Sequence, residues 1–261
     1  MTHPAFGTHA AGHLPEHGWQ AQLFILLATG AQVLSVRNAD PNNTFAISFE
    51  TYPQDATGVA HILEHMVFRG SRNYPLSRPF SALLQSSLHS YLNASTQPDV
   101  TIFHLASLNQ ADFANLIDVK IDAVLRPMLS PAAFGDEACH IALDSIDAVP
   151  RLGGIVLAEM SGHLAVPLNA LHDGLRRALY PGSVFAHVHG GDRAKIPDLT
   201  HAALVAFHRR HYHPSNARIF LWGDGVLIPG WSRSTATSTA FSGVFRLRLW
   251  STFPALRRQR G

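Results

Sequence analysis

Thr57-Gly58-Val59-Ala60-His61-Ile62-Leu63-Glu64-His65-Met66-Val67-Phe68 is the stretch that decides how the chain is read. Polar residues recur at helical spacing among apolar ones, so the pattern predicts a helix over 58–68 that ends near Gly70. His61 and His65 are four residues apart and share one face of that helix. Both imidazoles can then reach a single metal ion, while Glu64 lies on the same side, one residue short of His65. Burying two histidines and a glutamate among apolar neighbours is costly without a metal or a partner.

The five residues 61–65 match the H-x-x-E-H pattern of inverted zinc peptidases. Composition alone predicts roughly 0.02 such matches in a chain of this size. In this chemistry a carboxylate such as Glu64 takes the proton of a metal-bound water as that water attacks a peptide carbonyl. A third protein ligand is needed. Glutamate is scarce here: the five are Glu16, Glu50, Glu64, Glu137 and Glu159. Glu159 sits in the apolar run Gly153-Gly154-Ile155-Val156-Leu157-Ala158-Glu159-Met160, where a lone carboxylate calls for a cation. His163, one turn further on, is the rival ligand or an outer partner.

The sequence around this helix alternates strand and helix signals. Residues 21–28 and 31–37 read as a hairpin around Thr29-Gly30, and 44–52 as a strand. Residues 79–87 suggest a second helix. Residues 91–96 and 100–107 read as paired strands. Residues 110–125 carry Phe113, Leu116, Ile117, Ile121 and Val124 on one face, an amphipathic helix. Helices are also expected over 153–163, 168–179 and 201–211, the last capped by Thr200, followed by a strand over 216–222. The fold class expected is α+β, with helices packed on a largely antiparallel sheet.

Composition narrows the function classes. The chain has 261 residues, 46% hydrophobic and 15% charged, with formal net charge +2. That excludes a wholly disordered chain and gives no argument for nucleic acid. One cysteine, Cys139, rules out an internal disulfide. No apolar run spans a bilayer, and residues 1–20, with four histidines and no Lys or Arg, do not read as a signal or transit peptide. The expectation is a cytoplasmic chain with no membrane partner. Residues 1–20 read as a flexible arm, 21–224 as the folded domain, and 225–261 as a basic Ser/Thr/Arg-rich tail, disordered or foreign to the fold. His208, His211 and His213 read as helix-end and loop residues rather than a second metal site. His187 and His189 read as structural or solvent-facing, and Cys139 as a small packed side chain.

Beyond the H-x-x-E-H core, a string of segments resembles the insulinase/pitrilysin family of inverted zinc metallopeptidases, nearest its presequence protease branch. These are Gly70-Ser71-Arg72-Asn73-Tyr74-Pro75-Leu76, Leu92-Asn93-Ala94-Ser95-Thr96, Leu125-Arg126-Pro127, Glu159-Met160-Ser161-Gly162, Gly190-Gly191-Asp192, and residues 207–218. The resemblance covers most of 30–224 and corresponds to an N-terminal domain. It implies one Zn²⁺ per chain held by His61, His65 and Glu159, with Glu64 as general base. It implies that Asn93 and Ala94 lie on an edge strand that pairs with a peptide substrate. The implied activity is a zinc metalloendopeptidase cleaving short unstructured peptides of the targeting-peptide kind. The family completes its site with a C-terminal half, or homologous domain, that has no match here. The alternatives are therefore a truncated, non-catalytic zinc- and peptide-binding domain, or an assembly subunit.

Overall fold

The computed structural model describes residues 5–77, 79–143 and 145–225. Nine strands are described: β1 (Phe6–Leu14), β2 (Trp19–Leu26), β3 (Gln32–Arg37), β4 (Asn43–Glu50), β5 (His89–Thr96), β6 (Val100–Ser107), β7 (His140–Ala142), β8 (Arg151–Gly153) and β9 (Ala217–Gly223). They are joined by seven helices: α1 (Val59–Met66), α2 (Pro79–Ser86), α3 (Gln110–Leu125), α4 (Pro131–Glu137), α5 (Ile155–Ala165), α6 (Pro167–Leu179) and α7 (His201–His211). Seven strands make one sheet in the order β1-β2-β3-β9-β4-β6-β5; β7 and β8 form a separate hairpin. Only β3 and β9 run parallel, so the sheet is largely antiparallel, as the sequence led us to expect.

Alternation explains why the centre of the sheet is one-sided. In β4, Phe45, Ile47 and Phe49 are fully buried, while Thr44, Ala46 and Ser48 face a half-open surface. β9 repeats the pattern with Ala217, Ile219 and Leu221. A period-two pattern of this kind buries one face and leaves the other near solvent. The helices cover the buried face: α1 packs on β5 and β6, α3 on β4 and β6, and α7 on α1. α3 begins where Asn109 Oδ1 accepts from the backbone N–H groups of Ala111 and Asp112. α7 begins where Thr200 Oγ1 accepts from the Ala203 N–H, the cap the sequence suggested.

Two features depart from the expectation. Phe6–Leu14 is not an arm without structure; it pairs antiparallel with β2, and Phe6 packs edge-on against Phe24. The apolar signal is confined to that one buried side chain, since every residue after Gly7 is exposed. The segment α4 with the β7–β8 hairpin was also not anticipated. Its start is a Ser130 cap with Pro131 at the first helical position. The expectation for 225–261 lies outside the described residues apart from Gly225.

Candidate metal centre

α1 places His61, Glu64 and His65 at the covered face of the sheet. Its start depends on Gly58, which has φ 73° and lies against the Gly190–Gly191 backbone. A Cβ on Gly58 would sit 2.7 Å from the Gly190 carbonyl oxygen. That close approach matters because the same oxygen lies 3.0 Å from His61 Nδ1 and takes its hydrogen. With Nδ1 so engaged, His61 presents Nε2 to the cavity.

His65 is fixed in the same way from the other side. Its Nδ1 lies 3.0 Å from Glu137 Oε2, and the other Glu137 oxygen accepts from Arg69 Nη1 at 2.8 Å. Burial alone would lower the His65 pKa, but the Glu137 hydrogen bond and the charges of Glu137, Glu64 and Glu159 outweigh it and raise it. Glu137 comes from α4 and was not singled out from sequence. The signal available was its rarity: it is one of five glutamates, and it is 4% exposed. Buried glutamate is uncommon unless paired.

Glu159, on α5, closes the group. Its two oxygens lie 3.7 Å from His61 Nε2 and 3.7 Å from His65 Nε2. One donor atom from each of the three residues falls within 4.8 Å of the others. Tetrahedral zinc with bonds near 2.0–2.2 Å needs donor separations of about 3.4 Å. The two imidazole–carboxylate separations are slightly wider than that, and the donors are of the right chemistry: two imidazole nitrogens whose Nδ1 atoms are engaged elsewhere and one carboxylate. The residues therefore fit a zinc ion. The rival ligand His163 also lines this cavity, but its Nε2 lies 3.2 Å from Asp173 Oδ2 and it is not part of the three-residue group.

Glu64 stands beside this group. Thr96 Oγ1 donates to Glu64 Oε2 at 2.6 Å, which fixes the carboxylate. A cavity of about 390 Å³ is lined by His61, Glu64, His65, Glu159 and the strand residues Asn93 and Ala94. All six residues expected at the site are thus brought together. β5, which carries Asn93 and Ala94, is the last strand of the sheet, so one of its edges has no strand beside it among the described residues. Asn93 Oδ1 accepts from the Ala94 N–H at 2.9 Å.

The other histidines separate cleanly. His208 Nε2 bonds the Val124 carbonyl, His211 Nδ1 the Glu50 carbonyl, and His213 Nδ1 the Ser215 hydroxyl. They tie loops and helix ends, as expected. His189 is different: it lines the cavity, and its buried Nδ1 has no partner among the described residues.

Residues 51–153 match the family model described as Insulinase (Peptidase family M16). Presequence protease 1, chloroplastic/mitochondrial, of Arabidopsis thaliana is 44% identical over 207 residues, 78% of this chain and 19% of the relative. The mitochondrial presequence protease of Drosophila melanogaster is 36% identical over 225 residues, 85% of this chain and 22% of the relative. The chain spans about a fifth of the length of these relatives. Among solved structures, the crystal structure of pitrilysin superposes with a TM-score of 0.63 at 22% identity, over 86% of this chain and 23% of that one. That likeness concerns the fold. No helix among the described residues is long and apolar enough to cross a membrane.

Proposed function

We propose, from the premise that residues 51–153 are an insulinase-type domain of peptidase family M16, that this chain is a zinc metalloendopeptidase domain acting on short unstructured peptides. The observation that carries the reading is the convergence of His61 Nε2, His65 Nε2 and a Glu159 oxygen, with Glu64 and an open strand edge lining the same cavity. One zinc ion held by His61, His65 and Glu159 would supply Lewis acidity and lower the pKa of bound water.

The remaining work falls to the chain's own residues. Gly190 and Glu137 hold the two imidazoles by their Nδ1 atoms, which keeps both Nε2 lone pairs directed inward. Glu64, held by the Thr96 hydroxyl, accepts a proton at its free oxygen and returns it to the leaving amine. β5 receives the peptide as an added strand through main-chain hydrogen bonds, which ties affinity to an extended backbone rather than to sequence. The Asn93 amide oxygen vacates the Ala94 N–H as the peptide arrives.

A second reading is a metal- and peptide-binding domain that turns over only with a second half. It is favoured by the exposure of Glu159, whose side chain is 53% open. A cytoplasmic location, expected from the sequence, finds no support in the names of the two presequence proteases above, which are mitochondrial or chloroplastic. The test is cleavage of an unstructured 20–30-residue peptide, followed by mass spectrometry, with zinc content measured in parallel. Metal-dependent cleavage abolished by Glu64→Gln supports the peptidase. Absence of zinc binding in the intact chain sinks it.

A further inference from the structure

Lys120 lies on the apolar face of α3, between Ile117 and Val124, and is only 3% exposed. Among the described residues no carboxylate is within ion-pair distance of its ammonium. Its one hydrogen bond runs to the Asn93 carbonyl oxygen, at 3.1 Å. The ammonium also stands over the rings of Phe68 and Phe80, at 4.8 and 5.4 Å from their centroids. A lysine so placed is unfavourable to the fold, because burial penalises its charge and no counter-ion returns it. A methionine or leucine would fill the same helix position without that penalty. The burial is deep enough to push its pKa down to about 7, with the Glu64 charge acting in the opposite direction.

What the lysine holds explains its presence. Asn93 and Ala94 line the cavity beside Glu64, and β5 is the edge of the sheet. An edge strand is held by hydrogen bonds on one side only and is free to move toward or away from the helices. The Lys120–Asn93 bond is a tether from the helix layer to that strand, and it falls at the position that meets the peptide.

We propose that Lys120 is a positioning residue: by tethering the Asn93 carbonyl it fixes β5 relative to Glu64, so that an incoming peptide strand docks in register with the catalytic carboxylate. The role rests on the peptide-binding reading above. It places Lys120 where stability is lost in exchange for a preorganised site.

The test compares Lys120→Met with the unsubstituted chain, both in a Glu64→Gln background so that peptide is bound and not cut. Three quantities are read: amide hydrogen exchange along β5, affinity for a fluorescent unstructured peptide, and thermal melting with zinc content as control. The expected result is exchange in β5 at least about tenfold faster, peptide affinity about tenfold weaker, unchanged zinc and a melting temperature that does not fall. A residue that is merely structural would lower melting temperature and affinity together. Unchanged β5 exchange, or unchanged affinity, overturns the positioning role. Failure of the unsubstituted background to bind any peptide overturns the peptide-site reading itself, and the exchange data tell that failure from loss of the tether.

Discussion

Glu137 and Glu64 are two buried carboxylates that line one pocket with His65, and their hydrogen-bond partners differ. Glu137 is engaged by His65 Nδ1 and Arg69, so in the proposed centre it would orient His65. Glu64 has one oxygen bound to Thr96 and one facing the cavity, so it can exchange a proton. Glu137→Gln therefore weakens zinc affinity by about tenfold, the low end for outer-partner substitutions, because the amide still reaches His65. Competition with a chromophoric chelator measures it; affinity unchanged within twofold would remove Glu137 from the metal site. Lys120 gives a pH prediction at the same scale. Its folded pKa, about 7, lies below the value of 10.5 in the unfolded chain. Between these values the unfolded chain keeps the proton and the folded one releases it, so stability rises with pH across that window. Below pH 7 the full penalty is present, on the order of a few kcal/mol. The stability advantage of Lys120→Met should thus be largest near pH 6 and shrink toward pH 10, as urea unfolding at several pH values will show.

At the scale of elements, the close approach of Gly58 to Gly190 couples the start of α1 to the loop that orients His61. Gly58→Ala requires φ 73° of a residue with a Cβ and pushes that Cβ into the Gly190 carbonyl. The expected cost is about 1–3 kcal/mol in stability, together with weaker zinc binding. Calorimetry and zinc titration on the one variant check both, and a loss of stability without any loss of zinc affinity would uncouple the loop from His61. The helices α1, α3 and α7 and the pairing of β5 with β6 were legible in sequence because their apolar period and caps are local. α4 was not, because a seven-residue helix carries too few turns to show a period. β1 was missed for a related reason: an edge strand with one buried side chain leaves no alternation to read. Its pairing with β2 is a tertiary fact, and it gives a further expectation. Deleting residues 1–14 exposes the β2 edge and uncovers Phe24, so the truncated chain should melt lower and aggregate more readily. A melting curve that overlays the parent would mean the pairing adds nothing.

At the scale of the molecule, the six residues expected at the site come from three separate stretches, 61–65, 93–94 and 159. The string of motifs made that convergence legible; the orienting groups Glu137 and Gly190 were not, since their role appears only when distant backbone is brought to Nδ1. What surrounds the convergence also bears on rate. Glu159 is more than half exposed, and α6 carries Leu168, Leu171, Leu175 and Leu179 on its open surface. An apolar stripe of that length on a helix favours association with another surface. Activating water at a zinc ion is one requirement of peptide hydrolysis; stabilising the oxyanion and excluding bulk water are others. Among the described residues that line the cavity there is no arginine, lysine or tyrosine side chain to serve as a charged or phenolic oxyanion donor, and loss of one such donor commonly costs about 10²–10³ in rate. The chain alone should therefore bind zinc and peptide yet cleave slowly, and it should elute as more than a monomer at high concentration. Adding the C-terminal half of a presequence protease in trans should raise cleavage at least about a hundredfold and reduce self-association. Light scattering and a peptide-cleavage assay read both effects together. Rapid turnover by a monomeric chain, abolished by Glu64→Gln, would show that this one domain completes its own site, and His189, with its unpartnered Nδ1, would be the first residue to examine for the missing contact.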